Sequence, residues 1–261
     1  MKNRYILSLM TIGLFAACKK TDYLDTNAGD RPPLSAQVSF VNARSANTGI
    51  QFWTFTQQIT SALLYPGQAS PYLATTFGNV QINVTEGTGT SYTVSRQFGN
   101  SATYSATGGP NGPIATYYHT VFAAPATIDN NKDSLILFYD DLSTPPAGQA
   151  KLRFVHLATQ TGDLQVNLND GGTTKTLANK VTYGSAANGN INGSAYALGP
   201  YTNVNAGTIS IILSTADKLK SLVIKNNNLT DIKLEAGKIY TVFLHRVAGE
   251  EAVAADWIVE K

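Results

Sequence analysis

Beyond residue 36, apolar side chains alternate with polar ones instead of recurring every third or fourth position. Val38 and Phe40 follow this pattern, as do Leu152 and Phe154, Ile50 and Phe52, Leu164, Val166 and Leu168, Val80, Ile82 and Val84, and Val242 and Leu244. Period two with β-branched and aromatic filling predicts half-buried strands. Between these runs lie turn formers: Asn169-Asp170-Gly171-Gly172, Asn188-Gly189-Asn190, Asn226-Asn227-Asn228 and Gly108-Gly109-Pro110. Short strands with such punctuation predict an all-β fold of antiparallel β-sandwich type, immunoglobulin-like or prealbumin-like, each sheet with one buried and one wet face.

The pattern occurs twice. Ala36–Asn42 matches Ala150–His156 at an offset of 114, and Tyr118–Phe122 matches Ile239–Phe243 at an offset of 121. Between them, Ile50-Gln51-Phe52 matches Leu164-Gln165-Val166, and Gly78–Val84 matches Gly207–Leu213. Tyr65 and Tyr72 are aligned with Tyr183 and Tyr196 around a longer turn. An ordered set of matches whose spacing drifts only in turns predicts two tandem copies of one unit. The first copy spans 36–141, the second 150–261, and a Pro- and Gly-bearing linker, 142–149, joins them. The Gly/Ser/Thr-rich stretch Gln97–Pro113 reads as a long hairpin or loop inserted in the first copy.

The chain opens differently. Lys2 and Arg4 precede the apolar run Tyr5–Phe15, then Ala16, Ala17 and the single cysteine, Cys18. A basic start, an apolar stretch and a small-residue cleavage site make a secretory signal over 1–17. The cysteine immediately after it resembles the lipidation site of a bacterial lipoprotein, although Phe15 stands where leucine is usual. Residues 18–35 show no periodicity and read as a flexible tether. Cys18-Lys19-Lys20 followed by Thr21-Asp22 resembles lipoproteins of the Bacteroidota. That resemblance implies an outer-membrane, surface-exposed protein of the cell envelope, held to the membrane by its N-terminal lipid.

Charge and composition narrow the functions. Nineteen basic against 17 acidic residues leave a net +2, and removal of Lys2 and Arg4 brings the balance to zero. That is too little for a protein neutralising nucleic-acid phosphates, so no nucleic-acid partner is expected. One cysteine excludes an internal disulfide and a multi-thiolate metal site. With 43% hydrophobic and 14% charged residues there is material for a sizeable core.

Candidate chemistry is sparse. His119, His156 and His245 lack metal-ligand spacing and read as outward or rim positions, although His156 and His245 fall in strands of one copy and are close enough in topology to approach each other. Asp129–Asp133 resembles the start of a calcium loop, but Leu135–Phe138 alternates onward as a strand. Asp140-Asp141 and Glu250-Glu251 are adjacent pairs whose members face opposite ways on a strand. No Gly-x-Ser-x-Gly elbow or phosphate loop is present. No catalytic residue, cofactor or metal is therefore expected, and the protein reads as a non-enzyme. Trp53, Phe55 and Tyr104 in the first copy are the candidate ligand-binding aromatics, because rings give large contact area at low entropic cost; core packing is the competing account.

Ala150–His156, Val204–Thr208 and Leu234–Phe243 together resemble domain-of-unknown-function family 4397. The resemblance is clearer in the second copy than in the first and implies a β-sandwich module of exported bacterial proteins, often in tandem, with no catalytic residues to carry over. The expected function is that of a lipid-anchored envelope protein for binding, scaffolding or adhesion, with a surface glycan or protein as partner. The alternative is a carbohydrate-binding accessory protein.

Overall fold

The computed structural model describes residues 34–101, 105, 111–126, 133–217, 222–247, 250 and 252–261, and Ser35–Lys261 forms one compact unit. The signal sequence, Cys18 and nearly all of the tether lie outside the described residues, as do Tyr104, Gly108–Pro110 and Asp129–Lys132.

Among the described residues, sixteen strands are formed, and a four-residue helix lies in the second copy. The first copy holds β1 (Ala36–Asn42), β2 (Ile50–Thr54), β3 (Gln57–Gln58), β4 (Leu73–Thr75), β5 (Val80–Glu86), β6 (Tyr92–Phe98), β7 (Tyr118–Pro125) and β8 (Asp133–Asp140). The second holds β9 (Gln149–His156), β10 (Leu164–Asn169), β11 (Thr174–Val181), the helix α1 (Ala195–Leu198), β12 (Thr202–Asn205), β13 (Gly207–Thr215), β14 (Ile232–Leu234), β15 (Ile239–Arg246) and β16 (Val253–Val259). The sheets run β3-β2-β5-β6 and β4-β1-β7-β8, then β11-β10-β13-β14 and β12-β9-β15-β16. Adding eight to each strand number of the first pair of sheets gives the second pair.

The ladder register repeats as well. Phe40 lies opposite Val121 as Phe154 lies opposite Val242, and Ile50 lies opposite Glu86 as Leu164 lies opposite Thr215. The sequence offsets of 114 and 121 are thus preserved as backbone pairing. Within this all-β, two-sandwich fold, one feature departs from a purely antiparallel expectation: β1–β7 and β9–β15 are parallel.

Two cores fill the sandwiches. Val38, Phe40, Phe52, Ile82, Val121 and Leu137 belong to the first, and Leu152, Phe154, Val166, Ile211, Val242 and Leu244 to the second. A third cluster, including Val41, Phe122, Phe138, Val155, Leu157 and Phe243, joins the sheet β4-β1-β7-β8 to β12-β9-β15-β16. The central strands of these two inner sheets are therefore buried on both faces, in contrast to the wet outer face that strict alternation predicts. Every residue of β7 after Tyr118 is buried, and so is every residue of β9 after Gln149.

Candidate functional site

The seam between the inner sheets carries a buried polar centre. On β9, alternation turns Leu152 and Phe154 into the second core and Arg153 into the seam. The Arg153 side chain is fully buried, and its guanidinium meets five oxygens. Nη1 lies 2.7 Å from Asp140 Oδ1 and donates to the Tyr139 carbonyl at 3.2 Å. Nη2 donates to Glu260 Oε1 at 3.0 Å and Thr120 Oγ1 at 3.4 Å, while Nε donates to Thr241 Oγ1 at 2.9 Å. The cation also sits 4.4 Å from the centre of the Tyr201 ring.

The repeat builds this centre. Thr120 and Thr241 are equivalent positions on β7 and β15, and each donates to the carboxylate of its own copy, Thr120 to Asp140 at 2.7 Å and Thr241 to Glu260 at 2.6 Å. Tyr72 donates to Asp140 Oδ2 at 2.9 Å and Tyr201 to Glu260 Oε2. Since Val38 faces Leu73 and Leu152 faces Thr202, the counterpart of Tyr72 is Tyr201. Its sequence alignment with Tyr196 was misplaced by the insertion that carries α1. The cation alone is unduplicated, because the counterpart of Arg153 is Ser39. Two carboxylates, one from each copy, share a single guanidinium.

The electrostatics follow from burial. Desolvation opposes the charge on Arg153, but Tyr201, Asp140 and Glu260 outweigh it and hold the side chain charged. Burial pushes the Glu260 carboxyl up to about 7 against the pull of Arg153. It also raises the phenols of Tyr72 and Tyr201, which stay protonated donors.

The histidines do not occupy the outward positions the sequence suggested. His119 and His156 are fully buried, and desolvation pushes both down to about 4. Ile114 N–H donates to His119 Nε2 at 3.3 Å, as Glu235 N–H donates to the Tyr240 hydroxyl at 3.0 Å. These equivalent rings serve one purpose, accepting a backbone proton five residues upstream. His156 Nε2 lies 2.9 Å from the Gly162 carbonyl, and His245 Nε2 lies 2.7 Å from Asp256 Oδ2. His156 and His245 project from opposite faces of one sheet, since His156 pairs with Leu244. Among the described residues, no three His, Cys, Asp or Glu side chains converge as metal ligands.

Two aromatic patches at the surface bear on ligand binding. In the first, Trp53 is edge-on to Tyr92, with ring centres 6.1 Å apart, and its Nε1 donates to Thr85 Oγ1 at 3.1 Å. Phe55 sits beside them in the turn after β2 at a φ of 51°, and its carbonyl accepts from Tyr92 Oη at 3.0 Å. Trp53 and Phe55 are thus brought together, whereas Tyr104 lies outside the described residues.

The second patch was missed by sequence reasoning. Tyr139 of β8 packs 5.7 Å from Tyr117 and 4.2 Å from Tyr196, measured between ring centres. Tyr196 belongs to α1 in the second copy and so has no counterpart in the first. No local pattern announces that it returns to β8.

Fold and seam together define a class, a duplicated β-sandwich protein whose copies share one buried cation. The chain belongs to the family described as Domain of unknown function (DUF4397), which matches residues 36–167. The match covers the first copy and runs on into β10. Of the three segments that carried the resemblance, only 150–156 falls inside it. No curated protein matches the chain in sequence. A crystal structure of a candidate cell adhesion protein from Bacteroides uniformis is similar at 9% identity with a TM-score of 0.27, the alignment covering 87% of this chain and 97% of that one.

Proposed function

We propose that the protein is a lipid-anchored binding or scaffolding protein of the cell envelope, held at the outer membrane through Cys18 and exposed at the surface, where it serves adhesion or a surface assembly. The observation that supports this most is the Arg153 seam. It ties two modules together through one buried centre, as a presenting scaffold requires, and its charged groups are bound to one another. In this reading the modules are 36–141 and 150–261, with 142–149 as their joint, and the chain performs no catalysis. Lys151 Nζ reaches Asp141 Oδ2 at 2.7 Å and Ser143 Oγ at 2.6 Å. A protease nick within 142–149 should therefore leave two fragments that co-elute.

Radiolabelled palmitate fed to the producing cells, with protease applied to intact and lysed samples, tests the reading. Labelled protein that is digested on intact cells supports it. Label without digestion moves the protein to the inner side of the envelope, and absence of label overturns the Cys18 anchor. The alternative is a carbohydrate-binding accessory role at Trp53, Phe55 and Tyr104, favoured by the packing of Trp53 on Tyr92 beside the 43%-exposed Phe55. Glycan binding unchanged by Trp53→Ala would remove that version.

A further inference from the structure

We propose that Tyr117, Tyr139 and Tyr196 form a stacking platform for a neutral saccharide, a proposal that rests on the binding-protein reading above and gives it a ligand class. Tyr117 is 44% and Tyr196 37% exposed, and both contact the half-buried Tyr139. Their hydroxyls make no hydrogen bond among the described residues. The hydroxyls of Tyr72, Tyr92, Tyr183 and Tyr201 all donate to protein acceptors, and that of Tyr240 accepts a backbone proton. The three platform phenols therefore combine ring surface with uncommitted polar groups.

That combination selects the occupant. An apolar peptide docked here would cover the phenol hydroxyls without replacing their bonds to water, which is costly. A pyranose offers C–H faces to the rings and hydroxyls to the phenols, and so meets both demands. Burial, with a contribution from Asp141, raises the Tyr139 phenol, and burial with a contribution from Tyr117 raises that of Tyr196, so both remain donors. Asp141, whose charge acts on the Tyr139 phenol and whose carboxylate binds Lys151 and the Ser143 N–H, adds polar groups at the platform's margin.

The Trp53 patch is the weaker choice for the same reason. Its indole N–H and the Tyr92 hydroxyl are already bonded to Thr85 and to the Phe55 carbonyl. The platform also depends on both copies. A Cβ added at Gly199 would lie 2.1 Å from Phe138 Cδ1, so this glycine lets the segment carrying α1 settle against β8 and hold Tyr196 over Tyr139.

The test passes the detergent-solubilised full chain over cellulose, chitin, dextran and cross-linked mannan beads. Retention on at least one matrix is expected, with a loss of at least about tenfold in affinity for Tyr117→Ala/Tyr196→Ala, the scale expected when aromatic anchors are truncated. Replacing all three tyrosines by Phe preserves the packing, so weakened retention by this variant isolates the hydroxyls from any folding defect. Trp53→Ala should bind as the parent does. Passage through all four matrices, or retention indifferent to both tyrosine variants, overturns the platform. Failure on the beads with palmitate label intact removes the saccharide alone, and loss of label removes the anchor alone.

Discussion

The two copies share strand order and register, yet only the second supplies a cation to the seam. Ser39 of β1 donates to the Ser70 carbonyl at 2.9 Å and stays within its own copy. Arg153, at the same place on β9, reaches across to Asp140, Thr120 and the Tyr139 carbonyl. Duplication gave each copy a buried carboxylate, a threonine and a tyrosine. Asymmetry at one position converted two sets of buried acceptors into one neutralised centre. A second cation at position 39 would face a site whose acceptors are already in use, so the seam works because the repeat is imperfect.

The sharpest break in this comparison is Arg153→Met set beside Ser39→Ala. Removing the guanidinium leaves Asp140 and Glu260 buried without their partner, which should cost about 3–5 kcal/mol. Ser39→Ala removes one hydrogen bond at the equivalent site and should cost about 1 kcal/mol. Urea denaturation of both variants reads the difference. Equal losses would mean that the seam is held by Phe122, whose ring centre is 5.4 Å from that of its counterpart Phe243, and not by Arg153.

The second prediction concerns protons. The folded chain keeps a proton on Glu260 up to about 7, against 4.5 ordinarily, so this group's stabilising contribution is complete below 4.5 and is lost as pH rises through 7. His119 and His156 act oppositely. Held neutral down to about 4, they contribute stability above 6.5 that is lost as pH falls through 4. Glu260→Gln removes only the first effect. Relative to the parent, the variant should gain stability with rising pH between 4.5 and 7, at up to about 1.4 kcal/mol per pH unit for one proton. Thermal melts across that range check it, and a difference that does not grow with pH would mean that Glu260 is ionised throughout.

A smaller effect is expected at Gly199, where α1 of the second copy meets β8 of the first. Gly199→Ala forces its new methyl group against Phe138, and overpacking of this kind costs about 1–3 kcal/mol. Gly78→Ala in the first copy provides a control: open space surrounds its added Cβ, leaving only the strain of a φ of 76°. Tyrosine fluorescence should change in the Gly199 variant and not in the control, because only Gly199 fixes the position of Tyr196.

Much of this was legible in the sequence for a physical reason. A sandwich strand must alternate, so Phe40 and Phe154 declare their faces, and ladder pairing preserves the offsets through β7 and β15. The seam was hidden because it unites residues 72, 120, 140, 153, 201, 241 and 260, each an unremarkable polar residue at a strand end or on a face that alternation marks as wet. Two signals pointed to it. Pro71-Tyr72 recurs as Pro200-Tyr201, and Asp140 recurs as Glu260 at an offset of 120, one short of the spacing that relates β7 to β15. The histidines were misplaced because polarity was taken for exposure, whereas His119 and His156 satisfy loop backbone groups inside the fold. Tyr196 was illegible because an insertion obeys no repeat.

The smallest expected effect separates the outer margins of the two inner sheets. In the first copy, β8 is flanked by α1 of the second copy, and the Arg96 guanidinium donates to the Leu135 carbonyl. In the second copy, Asn226 covers β16 by mimicking a strand. Its Nδ2 donates to the Ala255 carbonyl at 2.7 Å, and its Oδ1 accepts from Ala255 N–H at 3.2 Å. An unpaired edge invites pairing with another chain, so a side-chain amide that occupies both backbone groups protects the fold at little structural expense. Asn226→Ala should lower stability by only about 1 kcal/mol, since Asn228 Nδ2 still reaches the same carbonyl at 2.9 Å. The Ala255 amide, however, loses its acceptor. Its hydrogen exchange should accelerate while Leu137, on the strand sheltered by α1, keeps its parental rate. If Ala255 exchanges unchanged, β16 is protected by the loop as a whole and not by the Asn226 side chain.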